Sequence, residues 1–262
     1  MIALITDFGI EDSFVAAMKA VIYSINLNVK IVDITHSVSP QKVKEAKFHL
    51  ESCYKFFPKG TIFLCVVDPD VGSSRKAIIV KTDDYFFLAP NNGLLSQIIK
   101  EHKNIIIYDL SASFNSSKNI SNTFHGRDIF APAAAQISLD PNYCNGLKTL
   151  TSSEIKFIES PVLEKLNENT FKTEIQHIDR FGNLISSIPE KYFQNIDMSS
   201  IKIKYKSKVI KCFFLKSYSD AGEGKFLAYI GSSGFLEIAI RNGNAKNEIG
   251  CEPNEIIEVE IC

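Results

Sequence analysis

No run of apolar residues in this chain approaches the length of a membrane span, so a helical transmembrane protein is excluded. There is no excess of basic charge: the formal net charge is −1, and no Lys/Arg cluster is long enough to form a polyanion patch. That argues against a nucleic-acid partner. The six cysteines, Cys53, Cys65, Cys144, Cys212, Cys251 and Cys262, are scattered without a C-x-x-C pair. They read as reduced, mostly buried thiols of a cytoplasmic protein, not as a disulfide framework or a zinc site. The N-terminal M-I-A-L-I-T-D meets an acid at Asp7 and lacks basic flanks, so no signal peptide is expected there. Internal repeats and low-complexity tracts are missing as well.

The 262 residues, 45% hydrophobic and 23% charged, are enough for a full core and room for two domains. Ile2 to Thr6 is an apolar strand ending in Asp-Phe-Gly. From Asp12 to Ile25, Phe14, Val15, Met18, Val21, Ile22 and Ile25 fall at helical spacing, with Asp12 or Ser13 as the expected N-cap. Strands follow at Lys30–Ile34, Thr61–Val67 and Asn104–Tyr108, and Ala77–Lys81 with Tyr85–Leu88 flank a hairpin-type turn at Asp83-Asp84. Helices are expected from Pro40 to about Phe57, from near Leu94, and over Ile129–Ile137. This alternation predicts an α/β domain with a largely parallel sheet flanked by helices, over residues 1–155. After a polar stretch, residues 165–262 carry short strand patterns at Phe171–Ile178, Ile201–Tyr205, Val209–Phe213, Phe226–Ile230, Phe235–Ile240 and Ile256–Ile261. They predict a smaller all-β barrel domain.

Chemistry-bearing residues cluster where strands end. Asp7 follows the first strand, at the edge where open α/β sheets bind ligands. It can accept two hydrogen bonds from a ribose diol, or simply brace the turn before the helix. V-V-D-P-D-V-G-S-S-R, Val66 to Arg75, places Asp68 and Arg75 on one loop, and T-F-H-G-R-D, Thr123 to Asp128, adds His125 ahead of a glycine and a helix. An Asp–His pair braced by Arg can orient and deprotonate a water molecule. A loop-bracing salt bridge and a structural histidine are the plain alternatives. His36, just before Pro40, reads as structural.

In the β domain, H-I-D-R-F-G-N puts Asp179, Phe181 and Asn183 on one turn. They can hold an ammonium, stack on a purine and bond a base edge, or make an ordinary Asx turn over a buried Phe. Ser232 and Ser233 lie in a hairpin turn able to bind a carboxylate. The acids Asp7, Asp12, Asp68 and Asp70 with His36 and His125 also raise a metal-dependent phosphoesterase. Against it, H-x-H, D-x-D-x-[DN] and H-x-x-x-H spacings are all missing.

Taken in order, I-T-D-F-G with Lys19, V-D-I-T-H-S-V-S-P, F-F-P-K-G-T, V-V-D-P-x-V-G-S-S-R, L-A-P-N-N-G-L-L, F-H-G-R-D-I-F-A-P-A-A-A, D-R-F-G-N-L-I and S-x-G-F-L-E-I-A span almost the whole chain. They resemble the S-adenosyl-L-methionine (SAM) hydroxide adenosyltransferases, relatives of the fluorinases and chlorinases. The resemblance implies hydrolysis of SAM to adenosine and L-methionine, with no metal or organic cofactor. It implies a homotrimer whose active sites lie between the N-terminal domain of one subunit and the C-terminal domain of its neighbour. Asp68, Arg75 and His125 would activate the water, and Asp7 would hold the ribose hydroxyls. Phe124 and Phe181 would flank the ligand. Asn183 and the backbone near Ile240 and Asn242 would read adenine. Asp12, Asp179 and Ser232 would face the methionine end, with Glu237 close by.

Fluorinases resemble this chain but carry Tyr where Asp68 stands and Ser where Gly126 stands. Asp68 therefore points to the water-using branch, because a carboxylate repels a halide. Two departures stand out: Asp70 replaces a usual glycine, and Gln41 occupies the place of a fluorinase Trp in a chain with no Trp at all. A protein that binds SAM or adenosine without catalysis, its loop spoiled by Asp70, is the remaining alternative.

Overall fold

The computed structural model describes residues 1–111, 120–194 and 199–262. The chain divides into two compact units, Met1–Ile158 and Glu159–Cys262.

The first unit is built on strands β1 (Ile2–Thr6), β2 (Ile31–Thr35), β3 (Ile62–Val66), β4 (Ala77–Lys81), β5 (Phe86–Pro90), β6 (Ile106–Asp109) and β7 (Lys148–Thr149). Helices α1 (Phe14–Ile25), α2 (Val43–Cys53), α3 (Ser96–Glu101) and α4 (Ala131–Leu139) cover it. The strand order is β2-β1-β3-β5-β4-β6-β7. Strands β2, β1, β3 and β5 pair in parallel, but β5–β4, β4–β6 and β6–β7 are antiparallel. The sheet is thus mixed, which corrects the expectation of a largely parallel one. The reason is the short Asp83-Asp84 turn, which leaves no length for the helical crossover that a parallel pair needs.

Both faces of the sheet are buried. In β1, Ile2 and Leu4 pack with Met18 and Ile22 of α1 and the alanines of α4, while Ala3 and Ile5 pack with Ala46 and Leu50 of α2. Each such large side chain removed from water contributes about 1.5–3 kcal/mol. Alanines at 133, 134 and 135 let α4 lie close to its neighbours. Ser13 holds the N-cap position of α1, yet its side chain makes no capping bond.

The second unit contains β8 (Leu163–Lys165), β9 (Thr170–Ile178), β10 (Leu184–Pro189), β11 (Ser200–Tyr205), β12 (Lys208–Phe214), β13 (Phe226–Ile230), β14 (Phe235–Ile240) and β15 (Ile256–Ile261), with a short helix α5 (Ala245–Ile249). The order β10-β14-β13-β12-β11-β15-β9 closes through a β9–β10 pairing into a barrel, and β8 adds to β9. Strand β10 carries no clear strand pattern in the sequence because Ser186 and Ser187, buried in it, blur the apolar signal. Among the described residues no helix is long and apolar enough to cross a membrane.

Candidate active site

Strands β1 and β3 are parallel neighbours in the register Thr6↔Val66. Their carboxyl ends therefore deliver Asp7 and Asp68 to the same edge of the sheet, the edge where α/β folds bind ligands. The loop after β3 returns over Gly72, whose φ is +81°. A Cβ there would come within 2.5 Å of the Asn122 carbonyl. Glycine thus lets this loop press against the turn that carries His125. That turn is anchored by Asp128, which accepts the Ser121 N–H at 2.8 Å and a two-pronged contact from Arg127. It leads into a π-helical turn, Gly126–Phe130, closed by Ala131 N–H to the Gly126 carbonyl.

Asp68, Arg75 and His125 meet. Arg75 Nε donates to Asp68 Oδ1 at 3.0 Å, and Arg75 Nη2 donates to Asp68 Oδ2. The same Nη2 lies 2.8 Å from His125 Nδ1. A guanidinium has no acceptor, so His125 Nδ1 must be unprotonated and accepting. In the neutral ring, Nε2 then carries the proton. Burial, with the Arg75 charge adding to it, holds the His125 pKa below its ordinary 6.5, against the opposing pull of Asp68 and Asp128. The Asp68 and Arg75 side chains are only 5% and 8% exposed, so this pair is largely shielded from water. The Arg75 guanidinium also rests over the Phe130 ring, 5.6 Å from its centre.

Asp68 and His125 line a cleft of about 290 Å³ together with Asp7, Phe8, Phe14, Gln41, Phe124 and Gly126. Asp7 Oδ2 accepts the Gln41 N–H at 2.8 Å. Burial raises the Asp7 pKa, the Asp68 charge adds to the rise, and the Gln41 bond opposes it. Gln41 has a φ of +65°, a left-handed conformation that aims its N–H at the carboxylate. Phe8, Phe14 and Phe124 form an aromatic corner with ring centres 5.2–5.9 Å apart. Phe8 and Phe14 were missed in the sequence because one lies in a turn and the other reads as a core position of α1. Gly126 has an ordinary negative φ. Its role is to make room: a Cβ would sit 3.2 Å from Met18 Sδ and 3.3 Å from the Phe8 ring. Asp12 is exposed on the loop before α1 and does not line this cleft. Asp70 is half exposed, with Lys156 Nζ 3.9 Å away, and it too is off the cleft.

In the second unit, Asp179 and Asn183 form one knot. Asp179 Oδ1 accepts the N–H groups of Phe181 and Asn183, and Asn183 Nδ2 donates to Asp179 Oδ2, each at 2.9 Å. The turn leaves Phe181 74% exposed, where the Asx-turn alternative expected a buried ring. Glu237 is buried beside its cross-strand partner Tyr229. Burial raises the Glu237 pKa, the neighbouring Tyr229 hydroxyl opposes the rise, and the Asp179 charge adds to it. Ser232 is exposed. Tyr218, overlooked in the sequence, donates its hydroxyl to the Ile240 carbonyl at 2.9 Å and accepts the Asn242 N–H at 2.7 Å. It holds the corner that ends β14.

Residues 2–143 match the family model of the SAM hydroxide adenosyltransferase N-terminal domain, and residues 173–258 match that of the C-terminal domain. The chain is 34% identical to an (R)-S-adenosyl-L-methionine hydrolase of Methanocaldococcus jannaschii over 99% of this chain and 95% of that protein. It is 27% identical to a fluorinase of Nocardia brasiliensis over 91% of this chain and 89% of that one. A crystal structure of an uncharacterized conserved protein from Thermotoga maritima superposes with a TM-score of 0.90 at 37% identity, covering 99% of each chain. With both of its units matched in order and at nearly full length, the chain belongs to the SAM hydroxide adenosyltransferase family.

Proposed function

We propose that this protein is an enzyme that hydrolyses SAM to adenosine and L-methionine by in-line attack of water on ribose C5′. The observation that carries the reading is Arg75 Nη2 shared between Asp68 and His125 at the edge of the cleft. The sulfonium is a good leaving group. As the water oxygen bonds to C5′, the C5′–S bond breaks and its electron pair stays on sulfur, giving the neutral thioether of methionine. The attacking oxygen becomes acidic only as that bond forms, so a nearby carboxylate suffices as base. Asp68 is the proton acceptor in this scheme. Each of its oxygens keeps a lone pair beyond the one given to Arg75. With Nδ1 occupied by Arg75, neutral His125 orients the water and does not take its proton. Positioning of this kind supplies much of the gain over a free water molecule.

Asp7 takes the ribose hydroxyls in this reading, and Phe124 flanks the sugar. Phe181, Asn183 and the Ile240–Asn242 backbone serve adenine, while Asp12, Asp179 and Ser232 serve the methionine end, near Glu237. Asp70 does not line the cleft and lies exposed, 3.9 Å from Lys156 Nζ, which supports a working loop over a spoiled one. A cleft of about 290 Å³ is at the small end for a ligand pocket, and an exposed Phe181 has apolar surface to cover. Both support a homotrimer in which neighbouring subunits complete each site; sizing chromatography reads this directly. Six free cysteines among the described residues support a reducing, cytoplasmic setting.

Incubation with SAM in chelator-treated buffer is expected to release adenosine and methionine in equal amounts. Failure to release them, or release only when a divalent metal is restored, overturns the reading. The pH profile carries a second expectation. The neutral His125 is the working form and its pKa lies below 6.5, so kcat/KM is expected to hold as pH falls through 6.5 and to decline only at lower pH. A decline centred above 6.5 contradicts the assignment. By linkage, stability also falls below pH 6.5, because the unfolded chain binds a proton that the folded site refuses.

A further inference from the structure

We infer that His36 is a positioning residue for the substrate-binding turn: it clamps Thr6–Gly9, and so sets where Asp7 and Phe8 stand in the cleft. The inference rests on the SAM-hydrolase reading for what the turn binds, and on geometry for the clamp itself.

Strand β2 lies beside β1, and its register shifts by one residue between Leu4↔Asp33 and Ile5↔Thr35. The shift brings His36 level with Thr6, the last residue of β1. There His36 Nδ1 lies 2.8 Å from Thr6 Oγ1, and His36 Nε2 lies 3.0 Å from Asp33 Oδ1. Lys19 Nζ holds the other Asp33 oxygen at 2.6 Å. Burial alone would raise the Asp33 pKa, but the Lys19 hydrogen bond and the nearby His36 outweigh it and hold the carboxylate below its ordinary range.

Two side-chain contacts and one backbone bond tie His36 into this line. An ionised Asp33 only accepts, and its Oδ1, 3.0 Å from His36 Nε2, lies off the line of a hydrogen bond, so this contact is electrostatic. His36 Nδ1 and the Thr6 hydroxyl share a hydrogen bond of 2.8 Å, and Thr6 Oγ1 also accepts the Phe8 N–H at 3.3 Å. The His36 carbonyl accepts the Gly9 N–H at 2.8 Å. Farther along the same segment, Gln41 donates to Asp7. The segment after β2 therefore grips the turn after β1 at Thr6, Phe8, Gly9 and Asp7.

An acid, an imidazole and a hydroxyl in line is also the arrangement that activates a nucleophile. Thr6 is 0% exposed, so no substrate reaches its oxygen. The line acts as a brace.

The test compares Thr6→Val, which keeps the shape and loses the hydroxyl, with Thr6→Ser, which keeps the hydroxyl. Thr6→Val is expected to raise KM for SAM about tenfold, the effect of losing one buried hydrogen bond, with kcat changed less than about threefold. Its affinity for adenosine, read by calorimetry, is expected to fall by about the same factor. Thr6→Ser is expected to stay within about twofold of the parent. His36→Asn, which cannot span Thr6 and Asp33 together, should shift KM in the same direction and serves as the readout should Thr6→Val not fold. A loss confined to kcat, equal damage in Thr6→Ser and Thr6→Val, or unchanged adenosine affinity would overturn the clamp. If the parent protein binds adenosine but does not hydrolyse SAM, the activity reading fails while the calorimetric comparison still tests the clamp.

Discussion

Asp68→Asn is expected to lower turnover of SAM about a thousandfold while SAM still binds within a few-fold, within the range general-base catalysis commonly supplies. Asn keeps the shape of Asp and one accepting oxygen, so Arg75 retains a partner and the loop keeps its form. What it loses is the basic oxygen. Its amide nitrogen also donates toward Arg75 or toward the water, and neither accepts it usefully. Asp68→Ala tests the same point less cleanly. Removing one member of a pair only 5% and 8% exposed leaves a buried charge, at a cost of about 3–5 kcal/mol. Turnover of Asp68→Asn within about tenfold of the parent, measured in single-turnover experiments with saturating SAM, removes Asp68 as the base.

Arg75→Lys is expected to lower turnover by about a hundredfold or more, although the charge is kept. Arg75 makes two contacts with Asp68 and one with His125, from Nε and both protons of Nη2. An ammonium is a point donor on a flexible stem and cannot reproduce that planar fork. Each lost bond to a charged group costs about 1.5–3 kcal/mol, so the melting temperature should fall too. His125 Nδ1 would lose the donor that fixes its tautomer, and the ring would be free to present either nitrogen to the water. A variant with more than about a tenth of parental turnover, at unchanged KM, would show that the shared guanidinium is a loop brace and nothing more.

Much of this architecture is legible along the chain. Short apolar runs between turn residues, such as Phe226–Ile230 and Phe235–Ile240, give strands at their observed bounds, and the 3.6 spacing of Val15, Met18 and Ile22 gives α1. The hairpin at Asp83-Asp84 was visible too. Its consequence for the sheet was not, because a pattern of elements does not state the order in which strands pair. Strand β10 hid behind buried serines, whose burial depends on partners such as Thr173 on another strand. The aromatic corner hid for a similar reason. Phe14 at a helical core position and Phe8 in a turn have no shared local signal, and only packing against each other and against Phe124 groups them.

What the sequence alone determined is the kit: two units, strand-end acids, an Arg and a His on loops able to reach a crevice, and motifs in the order of one family. Those follow from side-chain period, turn chemistry and residue type, all of which act over a few residues. The tertiary structure decided how the kit is wired. It put Arg75 between Asp68 and a histidine fifty positions away, made His125 Nδ1 an acceptor, and turned His36 into a clamp on Thr6. Such contacts depend on strand order and on a one-residue register shift, and hydrogen-bond direction is settled only when donor and acceptor meet at about 3 Å.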